Sequence, residues 1–154
     1  MVLGSAALLL PFPHLGEGDG LLTLTRDADL LIFPCDDEVA GMVHEAIGRG
    51  SLFEAHHGYH VDVLRDTVEA TLPKGWRARL RTEPVTGAFV LDPIDTCAMK
   101  LFAGRDKDLL VVGHVLRAGL VSRDAVREAI AAMPIGERAQ FATLRRLGQL
   151  HVSG

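Results

Sequence analysis

Asp27 and Asp29 stand one residue apart in Thr25-Arg26-Asp27-Ala28-Asp29-Leu30-Leu31-Ile32-Phe33-Pro34, a segment whose second half is apolar enough for a buried strand. Residues i and i+2 of a strand share a face, so the two carboxylates are expected side by side. At about 4 Å and an effective dielectric near 20, they repel by about 4 kcal/mol. A divalent cation removes that repulsion, and Mg²⁺ (or Mn²⁺) takes carboxylate oxygens together with substrate phosphates. Asp62, set in His60-Val61-Asp62-Val63-Leu64, is a candidate third acid, because a carboxylate between valines needs something charged on its face. Gly4-Ser5, ahead of the helix-forming run 6–10, offers backbone N–H groups and a hydroxyl to a phosphate. Phosphate donors, acids and a bridging cation are the parts that phosphoryl or nucleotidyl transfer requires. Each also has a plainer explanation: Gly4-Ser5 as a turn and cap, Asp27 as a turn residue, and Asp29 as an edge-strand solubiliser.

The elements that must position these groups follow from local pattern. Residues 1–3 suggest a strand, Gly4-Ser5 a turn, and 6–10 a helix stopped by Pro11 and Pro13. A polar loop is expected over 14–20 and a strand, or strand pair, over 21–33. Asp36 or Asp37 caps a helix over 38–47, with Val39, Met42, Val43 and Ile47 on its apolar face and Gly48 and Gly50 beyond it. Strands are expected over 58–64 and 87–91, and across Arg77, Arg79 and Arg81, which would then form one basic face. From Asp92, where Pro93 suits a first helical turn, the chain becomes helical: 94–103, 109–117, 123–132 after Ser122, and 137–147. The expectation is an α/β (α+β) domain, residues 1–91, and a helical region, residues 92–154, packed on it.

The chain has 154 residues, is 48% hydrophobic and carries a formal charge of −4. That charge argues against broad adhesion to nucleic acid or anionic membrane. No stretch reaches the ~20 apolar residues that span a bilayer, and the apolar opening lacks a basic n-region. Cys35 and Cys97 have no metal-ligand spacing and read as reduced core thiols. Together these features suggest a cytoplasmic protein. The abrupt apolar start also suggests that preceding residues are missing, which would leave a sheet edge beside residues 1–3 open to a partner protein or a second copy.

Gly-Ser, then Asp-x-Asp in a strand, then a single Asp in a later strand is the order found in the nucleotidyltransferase superfamily. Two further stretches, Gly48-Arg49-Gly50-Ser51-Leu52-Phe53-Glu54-Ala55-His56-His57-Gly58-Tyr59-His60-Val61-Asp62 and Leu72-Pro73-Lys74-Gly75-Trp76-Arg77-Ala78-Arg79-Leu80, resemble a bacterial nucleotidyltransferase-like family of unknown function. Its strongest signature is similar to Leu91-Asp92-Pro93-Ile94-Asp95-Thr96-Cys97-Ala98-Met99-Lys100-Leu101-Phe102-Ala103-Gly104-Arg105-Asp106-Lys107-Asp108. The family is distantly related to the AbiEii-type toxin nucleotidyltransferases. The resemblance implies a nucleotidyltransferase-like mixed sheet with flanking helices. It also implies transfer of a nucleoside monophosphate from an NTP to a hydroxyl on RNA, protein or a small molecule. In that scheme Asp27, Asp29 and Asp62 hold the metal and join Lys100 in catalysis, while Gly4, Ser5, Lys100, Arg105 and Asp108 bind the nucleotide.

The last block also has a reading of its own. On a helix, Lys100 and Gly104 share a face and Arg105, Lys107 and Asp108 follow within about a turn, so Asp108 can orient Lys100 or Arg105 toward a phosphate. The alternative is a solvated charge network. Some twenty residues separate Gly4-Ser5 from Asp27, which leaves room for a rival: a catalytically inactive binding or regulatory module on the same fold. A toxin–antitoxin component is a third reading, by association with the relatives alone. His56, His57 and His60 invite a zinc reading, set aside because Gly58-Tyr59 argues against a helix there. They are expected to line a loop, with His60 near Asp62. Trp76 either anchors a core or stacks on a base. Arg77, Arg79 and Arg81 with Arg145 and Arg146 either attract an RNA end or lie on a solvated surface.

Overall fold

A computed structural model of the chain describes residues 1–23, 25–34 and 36–150. It is a mixed α/β structure whose chain divides into two compact units. The first comprises the described residues of Met1–Val68 and Leu80–Leu91; the second, those of Glu69–Arg79 and Asp92–Gly154. Residues 69–79, expected in the α/β part, thus cluster with the helical one.

The first unit holds a five-stranded sheet in the order β3-β2-β1-β5-β4, formed by β1 (Val2–Leu3), β2 (Asp27–Leu30), β3 (His60–Val63), β4 (Arg81–Thr82) and β5 (Phe89–Val90). β1 runs antiparallel to β2 and parallel to β5, β2 and β3 are parallel, and β4 and β5 are antiparallel. The sheet is therefore mixed. β1 lies in its middle, so the open edge expected beside residues 1–3 does not exist. Gly4 follows β1 at φ +65°, a left-handed conformation that glycine adopts without strain, and turns the chain into α1 (Ala6–Leu9). Leu3, Ala7, Leu8, Leu15, Leu31 and Val90 are buried.

β2 is much shorter than the expected 21–33 strand: residues 21–23 form a turn, and Leu24 lies outside the described residues. α2 (Asp37–Ile47) starts where expected, because Asp36 Oδ1 accepts from the backbone N–H groups of Glu38 and Val39 at 3.0 Å each. No residue of α2 is buried, and Val39 and Met42 of its apolar face are exposed. α3 (Leu52–His57) occupies the stretch read as a loop. Ser51 Oγ accepts from Glu54 N at 3.1 Å at its start, and Gly58 closes it at φ +71°, the left-handed C-terminal glycine common to helices. Gly58 therefore ends a helix where it was read as preventing one.

The second unit contains α4 (Trp76–Arg79), α5 (Pro93–Ala103), α6 (Asp106–Arg117), α7 (Arg123–Ala131) and α8 (Glu137–Gln149). Asp92 Oδ1 accepts from Ile94 N at 2.9 Å, with Pro93 in the first turn of α5. Ser122 caps α7. Leu101, Val112, Val115, Val126, Ile130 and Leu147 are fully buried. Cys97 joins them, and burial pushes its thiol up to about 12; Cys35 falls outside the described residues. Among the described residues, no helix is long and apolar enough to cross a membrane.

Arg77 and Arg79 lie on α4 and Arg81 on β4, so the expected strand with one basic face does not form. The alternation is overridden by tertiary partners. Arg77 pairs with Glu69 and lies 4.5 Å from the ring centroid of buried Trp76. Arg79 grips buried Asp95 through Nε at 2.9 Å and a terminal nitrogen at 2.8 Å. Arg146 donates to the carbonyls of Leu101 and Phe102 at 2.9 and 3.0 Å. Trp76, buried, takes the anchoring role.

Candidate functional site

The acidic residues meet because of register. Asp27 lies opposite His60, and Asp29 opposite Asp62, across the parallel β2–β3 pair. With the period of two, Asp27, Asp29, His60 and Asp62 occupy one face of these two strands, and Ala28, Leu30, Val61 and Val63 the other. Both strands are partly buried at the acids: Asp27, Asp29 and Asp62 are neither sealed off nor fully solvated. β1 adds a further participant. Leu3 pairs with Asp29, so the turn that follows lies against its carboxylate, and a Cβ on Gly4 would overlap Asp29 Oδ2. Only a glycine tolerates both that approach and its own positive φ. Ser5 has helical backbone angles at the start of α1 and does not cap it with its side chain.

Around Asp62 the structure assembles groups that the Asp-x-Asp pattern does not reveal. Arg49 reaches Asp62 Oδ2 at 3.3 Å. His60, only 6% exposed, has Nε2 3.5 Å from the same oxygen and Nδ1 2.7 Å from Glu54 Oε1. These are close contacts, although neither ring nitrogen meets its carboxylate in hydrogen-bonding geometry. Glu54 is fixed in turn, its Oε2 accepting from Gly50 N at 2.6 Å. The sequence carried signals for this set: Ser51-x-x-Glu54 is a helix-start pattern, and His60 is two residues from Asp62 on the same strand face. His56 and His57 sit on α3 and His60 on β3, so no single helix presents the histidine pair that the zinc reading needs.

Among the described residues, no three His, Cys, Asp or Glu side chains gather so as to hold a metal ion. Asp29 and Asp62 are nevertheless register partners on one face, and carboxylates are donors of the class Mg²⁺ prefers. That ion is commonly held by one or two carboxylates, with water and phosphate oxygens completing its shell.

Lys100, Arg105 and Asp108 come together in the second unit, at the corner between α5 and α6. Gly104, at φ +66°, ends α5, so the block is a helix–turn–helix corner rather than one continuous helix. Lys100 Nζ lies 2.7 Å from Asp108 Oδ1 and Arg105 Nε 2.5 Å from Asp108 Oδ2. Lys100 is 5% and Asp108 0% exposed, which rules out a solvated network for that pair. Burial opposes charge on Asp108, but hydrogen bonds from Arg105 and Lys100 outweigh it and hold the carboxyl below its ordinary value.

No protein-family profile, curated protein or solved structure matches this chain.

Proposed function

We propose that this is a nucleotidyltransferase-like protein that moves a nucleoside monophosphate from an NTP to a hydroxyl on RNA, protein or a small molecule, with Mg²⁺ or Mn²⁺. The observation that carries the reading is the convergence of the Gly4 turn, Asp29 and Asp62, three features far apart in sequence, on neighbouring strands of one sheet. In this reading Asp29 and Asp62, with Asp27 beside them, would hold the cation, whose chemistry when bound would be charge neutralisation of the triphosphate. The Gly4-Ser5 turn offers its N–H groups and hydroxyl to phosphate oxygens. Asp62 takes the proton of the acceptor hydroxyl as the new O–Pα bond forms. The bond from Pα to the bridging oxygen breaks, and pyrophosphate leaves. For Lys100, Arg105 and Asp108, which belong to the second unit, nucleotide binding is what the family resemblance alone implies.

Incubating the purified protein with each labelled NTP, Mg²⁺ and total RNA or cell extract tests this. Label is expected in an acceptor with the native chain and not with Asp29→Ala or Asp62→Ala, while Asp27→Ala loses Mg²⁺-dependent NTP binding in calorimetry. A native chain that labels nothing and binds no NTP refutes the proposal. The engagement of Asp62 by Arg49, and the lack of a three-ligand cluster among the described residues, favour a second reading: a nucleotide-binding module without turnover. Binding without transfer of label would select it.

A further inference from the structure

We infer that Arg49 is a substrate-binding residue that competes with a divalent cation for Asp62 and, once displaced, takes the phosphates of the anionic substrate. The inference rests on the metal site proposed above and adds a residue to it. Arg49 stands on a short connection whose backbone is pinned on both sides. Gly48 N–H donates to His44 O at 2.8 Å, and Gly48 forms a parallel bridge with Val61, next to Asp62. Gly50 N–H donates to Glu54 Oε2 at 2.6 Å. The side chain, by contrast, is 63% exposed and reaches the carboxylate through one nitrogen and one oxygen. At 3.3 Å this contact is longer than the 2.7–2.9 Å typical of charge-assisted bonds, and it lacks the two-pronged geometry a guanidinium can offer.

Such a pair is easily exchanged. A divalent ion on Asp62 meets the same negative charge with twice the valence and repels the guanidinium. The pinned backbone keeps the released head within a side-chain length of the site, where its planar fork can take two oxygens of the phosphate that accompanies the cation. Arg49 thus neutralises Asp62 in one state and substrate phosphate in the other, and the acidic face never carries its full charge unpaired.

The test uses the full chain, Mn²⁺ alone, and Mn²⁺ with inorganic tripolyphosphate, which carries the phosphates without a base. Free Mn²⁺ is followed by its electron paramagnetic resonance signal, and tripolyphosphate binding by calorimetry. Arg49→Gln is expected to bind Mn²⁺ about two- to fivefold more tightly than the native chain, the range for loss of an exposed ion pair. It is expected to bind tripolyphosphate roughly tenfold more weakly, as for loss of a hydrogen bond to a charged group. Arg49→Lys, which keeps the charge and loses the fork, should fall between the two. Unchanged circular dichroism confirms that the exposed substitution leaves the fold intact. A native chain that binds Mn²⁺ together with an Arg49→Gln variant unchanged for both probes overturns this inference alone. A native chain that takes up no Mn²⁺ overturns the metal site as well.

Discussion

Replacing Lys100 by methionine keeps the length of the side chain and removes its charge, leaving Asp108 fully buried opposite a thioether. Removing one partner of a buried ion pair costs about 3–5 kcal/mol, because the remaining charge has lost both water and its counter-ion. Here the lower end applies. Arg105, whose own side chain is 61% exposed, still donates to Asp108 Oδ2, so the carboxylate keeps one charge-assisted bond. The expected loss is about 3 kcal/mol, or about 6–12 °C in Tm for a chain of this length. Urea titration followed by circular dichroism measures it. Lys100→Met with Asp108→Leu should recover part of the loss, since an apolar pair of similar volume removes the stranded charge. A single-variant cost under about 1 kcal/mol, the worth of an exposed pair, would refute the buried corner. The stability measurement also separates two roles: a Lys100→Met protein that folds at reduced temperature yet transfers no label has lost a nucleotide contact, not only a strut.

Two further outcomes follow from the same geometry. Gly4→Ala places a Cβ in the left-handed region and against Asp29 Oδ2, so a loss of at least about 1–2 kcal/mol is expected in thermal unfolding, with weaker Mn²⁺ binding as Asp29 is pushed from Asp62. Asp108 has its folded pKa held below the ordinary value, so its contribution to stability is complete above its unfolded value of about 3.9 and disappears as pH falls through the lower folded one. Asp108→Asn should therefore be less stable at neutral pH and show a shallower fall in unfolding free energy below about pH 4 than the native chain.

The helices were legible wherever their ends carry local chemistry. Asp36, Ser122 and the Asp92-Pro93 pair mark helix starts whatever lies around them, because a cap bonds to N–H groups only two or three residues away. α3 could have been found by the same rule from Ser51 and Glu54, had Gly58 been taken as a terminator. The strands were harder. The apolar residues after β2 look strand-like as far as Phe33, yet the ladder with β3 ends at the Leu30–Val63 pair, and nothing in a single segment states where its partner stops. The three alternating arginines misled for a related reason: Arg77 and Arg79 are set by Glu69 and Asp95, eight and sixteen residues away. Of the candidate site, the acids were visible as charges in apolar surroundings. Arg49 was not, since an arginine between two glycines looks like any solvated loop residue until a strand brings Asp62 beside it.

Because the acids sit on parallel neighbours, their meeting depends on an alignment that can fail in single-residue steps. A shift of β3 by one position along β2 would rotate Asp62 and His60 to the opposite side of the sheet and set valine side chains beside Asp27 and Asp29. The chain between the two strands runs through α2, the Gly48–Gly50 turn and α3, neither helix of which has a buried residue. These two helices span the distance between the strands, so in evolution or design their sequence, Glu54 apart, is free to drift more readily than their residue count.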